Sequence, residues 1–273
     1  MKKAAIFSLI LCFLTPLFAQ TDDIKKDARS PERVQEIIKH FTAKEALFRD
    51  ALKSYVFNRE ATVQEIAMGG YVSGVYRRDS FMTFNEDGSR FEKVLFAPMS
   101  TLPNLQITPE DLEDLGGVNP FALEPSNIDK YNFTYLGTER IDELNLFVFD
   151  VTPKVIPDPK KTTTRLFTGR VWVDIEDEMI VKSKGKAVPE TKDNKFPIVE
   201  TWRENIDGKY WFPTFVSADD SLVFKDGSVI HMKMKVKYTN YRQGRSEVRI
   251  LDDPGDTPTP KPTPTKTPIP EDQ

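Results

Sequence analysis

The hydrophobic period of this chain changes once, at Tyr55, and that change dictates the class of fold. Before it, Val34, Ile37, Ile38, Phe41, Phe48 and Leu52 recur at three- and four-residue spacing, which predicts one amphipathic helix from about Pro31 to Lys53. Ser30 is placed to cap it, and Pro31 takes the first helical position, where a missing N–H costs nothing. After Tyr55 the period is two. In Val229 to Tyr238, apolar Ile230, Met232, Met234, Val236 and Tyr238 alternate with His231, Lys233, Lys235 and Lys237. One apolar face and one cationic, wet face suit an antiparallel sheet that is solvated on one side. The same logic predicts strands at Tyr55–Ile66, Tyr71–Asn85, Arg90–Phe96, Tyr131–Thr138, Leu144–Val151, Leu166–Asp174, Met179–Val188, Ile198–Ile206 and Tyr210–Val216. Gly69-Gly70, Glu86-Asp87-Gly88, Asp207-Gly208 and Asp226-Gly227 supply turns. Roughly ten strands curl or close rather than stay flat. Short connections make sequential neighbours pair most simply as a meander.

The two ends differ from this middle. Lys2 and Lys3, the apolar run Ala4 to Leu14, Pro16 and a small residue at Ala19 give the layout of a secretory signal, with cleavage expected near Gln20. The run is shorter than the 20 or so apolar residues a membrane span needs. Cys12 follows Leu11, where a lipid-attachment signal wants a small residue, so no lipidation is expected. Cys12 is also the only cysteine, and its loss with the signal removes disulfide, thiol nucleophile and thiolate metal site together. Loss of Lys2 and Lys3 takes the formal charge from −4 to −6, which argues against a nucleic-acid partner. Residues 20–29 are polar and expected to be loose. Residues 251–273 alternate proline with threonine and lack the apolar bulk to offset ordering entropy, so a disordered, extended spacer is expected. The domain is therefore placed at 30–250.

One segment does not fit the meander. Residues 98–130 hold Pro98, Pro103, Pro109, Pro120 and Pro125, with Thr108 and Asp111 spaced as a capping box. Leu102, Leu105, Ile107, Leu112, Leu115, Val118, Phe121 and Leu123 are too many apolar groups for a solvated loop. A lid lying across the concave side of the sheet is expected.

Catalytic and metal chemistry find little support. His40 and His231 lack ligand-like neighbours at a recognisable spacing. Asp174, Glu176, Asp177 and Glu178 lack the glycine and terminal glutamate of a calcium loop, and read as a solvated turn. Asp219, Asp220 and Ser221 lack a nucleophile elbow, and no motif ties a histidine to Ser221. No catalytic residue, metal ligand or cofactor is assigned. Aromatic content is more informative. A single helix of about 23 residues is about 35 Å long and cannot cover a ten-strand curved sheet. The uncovered part is expected to be an apolar cavity, with Phe81, Phe147, Phe149, Trp172, Trp202, Trp211 and Phe215 on the strands and Leu112, Leu115 and Phe121 on the lid as candidate lining residues.

The stretch Phe167 to Lys184, FTGRVWVDIEDEMIVKSK, resembles the central hairpin of the periplasmic lipoprotein carriers LolA and LolB, and Tyr131 to Val151, YNFTYLGTERIDELNLFVFDV, resembles the strand pair before it. The resemblance covers roughly residues 30–245, and the wider superfamily includes the sigma-factor regulator RseB. It implies a mainly β protein with helices: a curved antiparallel meander forming an unclosed β-barrel, one long N-terminal helix, and a helical or irregular lid. It also implies a hydrophobic concave face that binds acyl chains. No lid-locking arginine is identified here, so no binding residue is carried over.

Three functions compete. The first is non-enzymatic periplasmic binding of lipid or lipoprotein acyl chains, extending to outer-membrane lipoprotein sorting and peripheral membrane contact. The second is an RseB-like envelope sensor or protein-interaction module without a stable lipid ligand. The third, a hydrolase with a dispersed active site, has no motif behind it.

Overall fold

In the computed structural model, residues 24–85, 89–108, 111, 123, 125–162 and 164–244 are described. The expected signal and tail lie outside them. Helix α1 spans Pro31–Leu52, and the Ser30 hydroxyl accepts from the Arg33 N–H at 3.3 Å. Ten strands follow: β1 Tyr55–Ile66, β2 Val72–Phe84, β3 Arg90–Phe96, β4 Tyr131–Ile141, β5 Leu144–Pro153, β6 Leu166–Asp174, β7 Ile180–Val188, β8 Val199–Ile206, β9 Tyr210–Val223 and β10 Val229–Gln243. They form one open antiparallel sheet in the order β3-β2-β1-β10-β9-β8-β7-β6-β5-β4.

That order corrects the simple meander. Each of β1–β3 and β4–β10 is a meander, but β1 pairs with β10, so β3 and β4 end at opposite edges. At about 4.8 Å per strand the edges lie roughly 43 Å apart along the sheet. The segment between β3 and β4, expected as a lid, is therefore the connection that carries the chain from one edge to the other.

The sheet buries one face under α1, here called the inner face. Ile37, Ile38 and Phe41 pack on β4–β6, with the Phe41 ring 5.9 Å from Phe133 and 5.6 Å from Phe149. Phe48 and Leu52 pack further along, Phe48 lying 5.7 Å from Phe212 on β9. The apolar stripe of the helix breaks at Glu45, which is 1% exposed. Arg203 on β8 answers it with two hydrogen bonds, at 2.6 and 3.1 Å. The same guanidinium donates to the Ile180 carbonyl at 3.3 Å and sits 4.5 Å over the Phe48 ring. Two-point pairing of this kind satisfies both charges out of water.

Residues 24–29, expected to be loose, are instead tied to the β4 edge. Lys25 and Thr138 exchange backbone hydrogen bonds at 2.7 and 2.9 Å. The Tyr135 hydroxyl donates to Asp27 and accepts from Arg29 at 3.2 Å, and burial, followed by the bond to Asp27, pushes that hydroxyl up to about 12. Gly137 makes the approach feasible: it takes φ +139°, and a Cβ there would lie 2.3 Å from the Lys25 carbonyl oxygen. Polarity alone does not predict a loose segment when an edge strand offers unpaired backbone groups.

Removing one partner of a buried ion pair strands the other. Arg203→Met is expected to lower the unfolding free energy by about 3–5 kcal/mol in urea titration, and Glu45→Met/Arg203→Met to recover most of it. A double variant as unstable as the single would mean that apolar contact alone seats the helix.

Candidate functional site

Helix α1 covers the inner face over β4–β6 and over the parts of β1, β8 and β9 that carry Tyr55, Arg203 and Phe212. The rest of that face holds a cavity of about 520 Å³. Its strand wall is Val63 of β1, Met232, Met234 and Tyr238 of β10, Val216 and Leu222 of β9, Val199 and Thr201 of β8, Ser183, Gly185 and Ala187 of β7, and Phe167 of β6. Two loops complete it: Asn104–Thr108 from the β3–β4 connection and Asp193–Pro197 from the β7–β8 connection. Leu105, Ile107, Phe196 and Pro197 bring apolar groups from these loops, so the wall is apolar on both sides. The size falls in the range of small-molecule sites.

Polar contacts hold the loops at the rim. Thr101 N–H donates to the Val75 carbonyl at 3.0 Å and Asn104 N–H to the buried Glu65 carboxylate at 3.1 Å, tying the connection to β2 and β1. The expected capping box is present: Thr108 N–H donates to Asp111 Oδ2 at 3.0 Å, and Asp111 N–H to Thr108 Oγ1 at 3.2 Å. Arg165 lies 3.6 Å from Asp111 and 4.7 Å over the Phe196 ring, so it touches both loops. Glu190 takes Lys186 at 3.0 Å and Lys195 at 3.3 Å. Burial pushes Glu190 up, but hydrogen bonds from Lys186 and the Phe196 N–H outweigh it and leave the carboxyl below its usual range.

The candidate aromatic residues are placed elsewhere. None of the seven described ones lines this cavity. Phe147 and Phe149 are on the inner face but beneath α1, in the cluster with Ile37 and Phe41. Trp172 and Trp202 flank Lys182 across β6, β7 and β8, on the outer face; the ammonium sits 4.6 and 4.3 Å from the two rings. Phe215 pairs with Lys237 and Phe81 with Asn58, which puts both on that outer face too. Trp211 donates to Asp177 at 2.7 Å in the β6–β7 turn. Leu112, Leu115 and Phe121 lie outside the described residues. The correction is one of phase: period two fixes which residues share a face, and aromatic identity does not. The cavity instead takes the aliphatic series of β10, already visible as Met232 and Met234. Of the insertion, Leu102, Leu105 and Ile107 pack on the inner-face core and Leu123 is buried in the cluster below α1.

The histidines have partners that spacing did not reveal. His40 Nδ1 lies 2.8 Å from Glu178 Oε2, linking α1 to the β6–β7 turn. His231 stands directly opposite Ser221 across β9 and β10, with Nδ1 3.4 Å from Ser221 Oγ and Nε2 2.7 Å from Asp219 Oδ1. The Asp226-Gly227 turn is the signal that could have found this pair, because it sets the register. Hydrogen bonds from Lys233 and then His231 hold Asp219 below the usual carboxylate range. The trio lies on the solvated outer face, without the concave, water-excluding setting that proton-transfer chemistry uses. It is read here as cross-strand pairing. Among the described residues no group of three or more metal-ligating side chains occurs.

Gly185 shapes the cavity floor. A Cβ there would lie 2.3 Å from the Thr168 carbonyl oxygen and 2.6 Å from the Phe167 ring. Gly185→Ala is expected to cost about 1–3 kcal/mol in thermal or urea unfolding, because the backbone contact cannot move aside. Unchanged stability would show that the strands are not packed this closely.

No family model matches the sequence, and no curated protein matches it. Among solved structures, the fold is similar to a DUF1329 family protein from Desulfovibrio piger, at 15% identity and TM-score 0.38, covering 80% of this chain and 95% of that one. It is similar to a LolA superfamily protein from Nitrosomonas europaea, at 14% identity and TM-score 0.33, covering 77% and 93%. It is also similar to an outer membrane lipoprotein-sorting protein domain from Vibrio parahaemolyticus, at 13% identity and TM-score 0.33, covering 74% and 91%.

Proposed function

We propose that the chain is an exported, non-enzymatic binder of lipid acyl chains in the cell envelope. The observation that carries this reading is the inner-face cavity, walled by aliphatic and aromatic side chains from six strands and the connections between them. Each buried methylene contributes about 0.8 kcal/mol, so a chain of about a dozen methylenes offsets the ordering costs of binding. Hydrogen bonds and ion pairs tie the rim loops beside the apolar contacts of Leu105 and Ile107, which suits a wall that parts for a ligand. Lipoprotein acyl chains are one such ligand, and transfer of lipoproteins toward the outer membrane is the finer form of the reading.

A second reading, a protein-interaction module of the RseB kind, draws on the edge strand β3. There Phe91, Val94, Leu95 and Phe96 are 42–58% exposed. Such an edge offers unpaired backbone groups beside apolar side chains, as strand-adding partners use.

Native mass spectrometry of protein purified from its own host should show a bound species of lipid mass. Hydrogen exchange with dodecanoate should slow at residues 104–108 and 193–197. Val216→Phe, which fills part of the void, should weaken dodecanoate by about tenfold, or 1.4 kcal/mol, with no loss of melting temperature. No bound mass together with no exchange change would sink the acyl reading and leave the protein-interaction one.

A further inference from the structure

Beside the cavity, on the inner face of β1–β3, two guanidinium groups share one carboxylate, while Glu65, the other buried carboxylate of β1 on this face, is turned to Asn104. Arg59 of β1 is 1% exposed. It stands opposite Ser80 on β2 and opposite Tyr238 on β10, and Tyr238 lines the cavity. Two and four residues back along β2 from Ser80, Arg78 faces Ala61 and Tyr76 faces Val63, another cavity residue. Ala61 contributes no bulk between them.

One carboxylate serves this cluster among the described residues. Glu92 of β3 accepts from Arg59 Nη2, from Arg78 Nε and Nη2 at 2.8 and 3.1 Å, and from the Ser80 hydroxyl at 2.5 Å. Two guanidinium groups share one glutamate, so an excess positive charge remains. Burial pushes Glu92 up, but hydrogen bonds from Arg78 and Ser80 and the charge of Arg59 outweigh it and leave the carboxyl below its usual range. It stays ionised, and cannot also supply the second negative charge.

Two donors in the same cluster are left over. Arg59 Nε and the Tyr76 hydroxyl are buried and reach no acceptor; Arg78 approaches the Tyr76 oxygen, but a guanidinium can only donate to it, so the phenol proton is left over. Burial raises the Tyr76 hydroxyl, which also feels Arg78, Arg59 and Glu92, so these groups share one neighbourhood. A buried donor without a partner costs about 1–3 kcal/mol, and an uncompensated buried charge costs more. Both costs are met by one group: an anion with several acceptor oxygens. Arg78 and Glu92 keep 22% and 23% side-chain exposure, so the cluster reaches solvent on one side and the cavity wall on the other.

We propose that Arg59, Tyr76 and Arg78 form a head-group site for the anionic end of an amphiphile, a carboxylate or phosphate ester, whose alkyl chain lies in the cavity along Met232 and Met234. The assignment rests on the acyl-chain reading of the cavity and adds the chemistry of the ligand's polar end. Guanidinium groups suit it because their fork geometry matches carboxylate and phosphate oxygens.

The test is displacement of the neutral dye N-phenyl-1-naphthylamine from the full chain by dodecanoate, by methyl dodecanoate and by inorganic phosphate. Dodecanoate should bind about tenfold more tightly than its methyl ester, equivalent to 1.4 kcal/mol. Arg78→Gln should shrink that ratio to about threefold or less while leaving the ester unchanged. Tyr76→Phe deletes one oxygen atom and should reduce the ratio in the same direction; it carries the test if Arg78→Gln does not fold. Inorganic phosphate should displace no dye and should not weaken dodecanoate. Equal binding of acid and ester overturns the head-group site and leaves the acyl cavity standing. Failure of both to displace dye overturns the two together. Competition between phosphate and dodecanoate overturns the link to the alkyl chain, because the cluster then takes a free anion.

Discussion

A salt bridge buried almost to dryness decides how the inner face of this sheet is divided. Glu45 interrupts the apolar stripe of α1, and nothing about a helix tolerates a carboxylate at the centre of its packed side unless a cation meets it there. Arg203 does so from β8, with its guanidinium also stacked on Phe48. The pair sets where the helix lies along the strands and which end of the face it leaves uncovered. The apolar groups on either side of it could slide; a two-point ion pair cannot. The cavity begins where this pinned helix stops, and Pro213, Ser183 and Tyr238 mark the boundary.

The chain path adds a second constraint. With β3 and β4 at opposite edges, residues 97–127 have to traverse the sheet, and a traverse over the outer face would leave their leucines and isoleucines in water. Leu102, Leu105, Ile107 and Leu123, apolar residues toward the two ends of this segment, pack on the inner side. The loop that walls the cavity is thus required by the topology, and the polar ties at Glu65, Val75 and Asp111 only settle its details.

Element boundaries were largely legible, because they depend on local signals. The turn residues and the change of period place β1, β3 and β6 to the residue and the helix to within one. The antiparallel pairing of consecutive strands was legible too, except between β3 and β4; the pair that joins the two meanders was not. Pairing of β1 with β10 joins the two ends of the domain, and short connections say nothing about it. The phase of the aromatic residues failed for a related reason. Trp172 and Trp202 read as cavity lining, yet their register with Lys182 puts them on the outer face, where its ammonium lies over both rings. Glu45 and Arg203 could not be matched because 158 positions separate them and neither has a local motif. The phosphate- or carboxylate-ready cluster was invisible for the same reason: Arg59, Tyr76 and Arg78 read as ordinary alternating strand residues until the register sets them on one face.

The two edges of the sheet are not equivalent. The β4 edge is interrupted at Thr138 by Lys25 of the same chain, whereas β3 presents Phe91, Val94, Leu95 and Phe96 with no strand beyond it among the described residues. Edge-to-edge polymerisation needs two sticky edges per subunit, one to receive and one to offer. A subunit with a single sticky edge is a chain terminator: two copies meeting through β3 would bury both edges and present nothing for a third. The short pairing at Lys25 therefore interrupts the β4 edge where a further strand would add, and so favours the meeting of two copies through β3 over open growth.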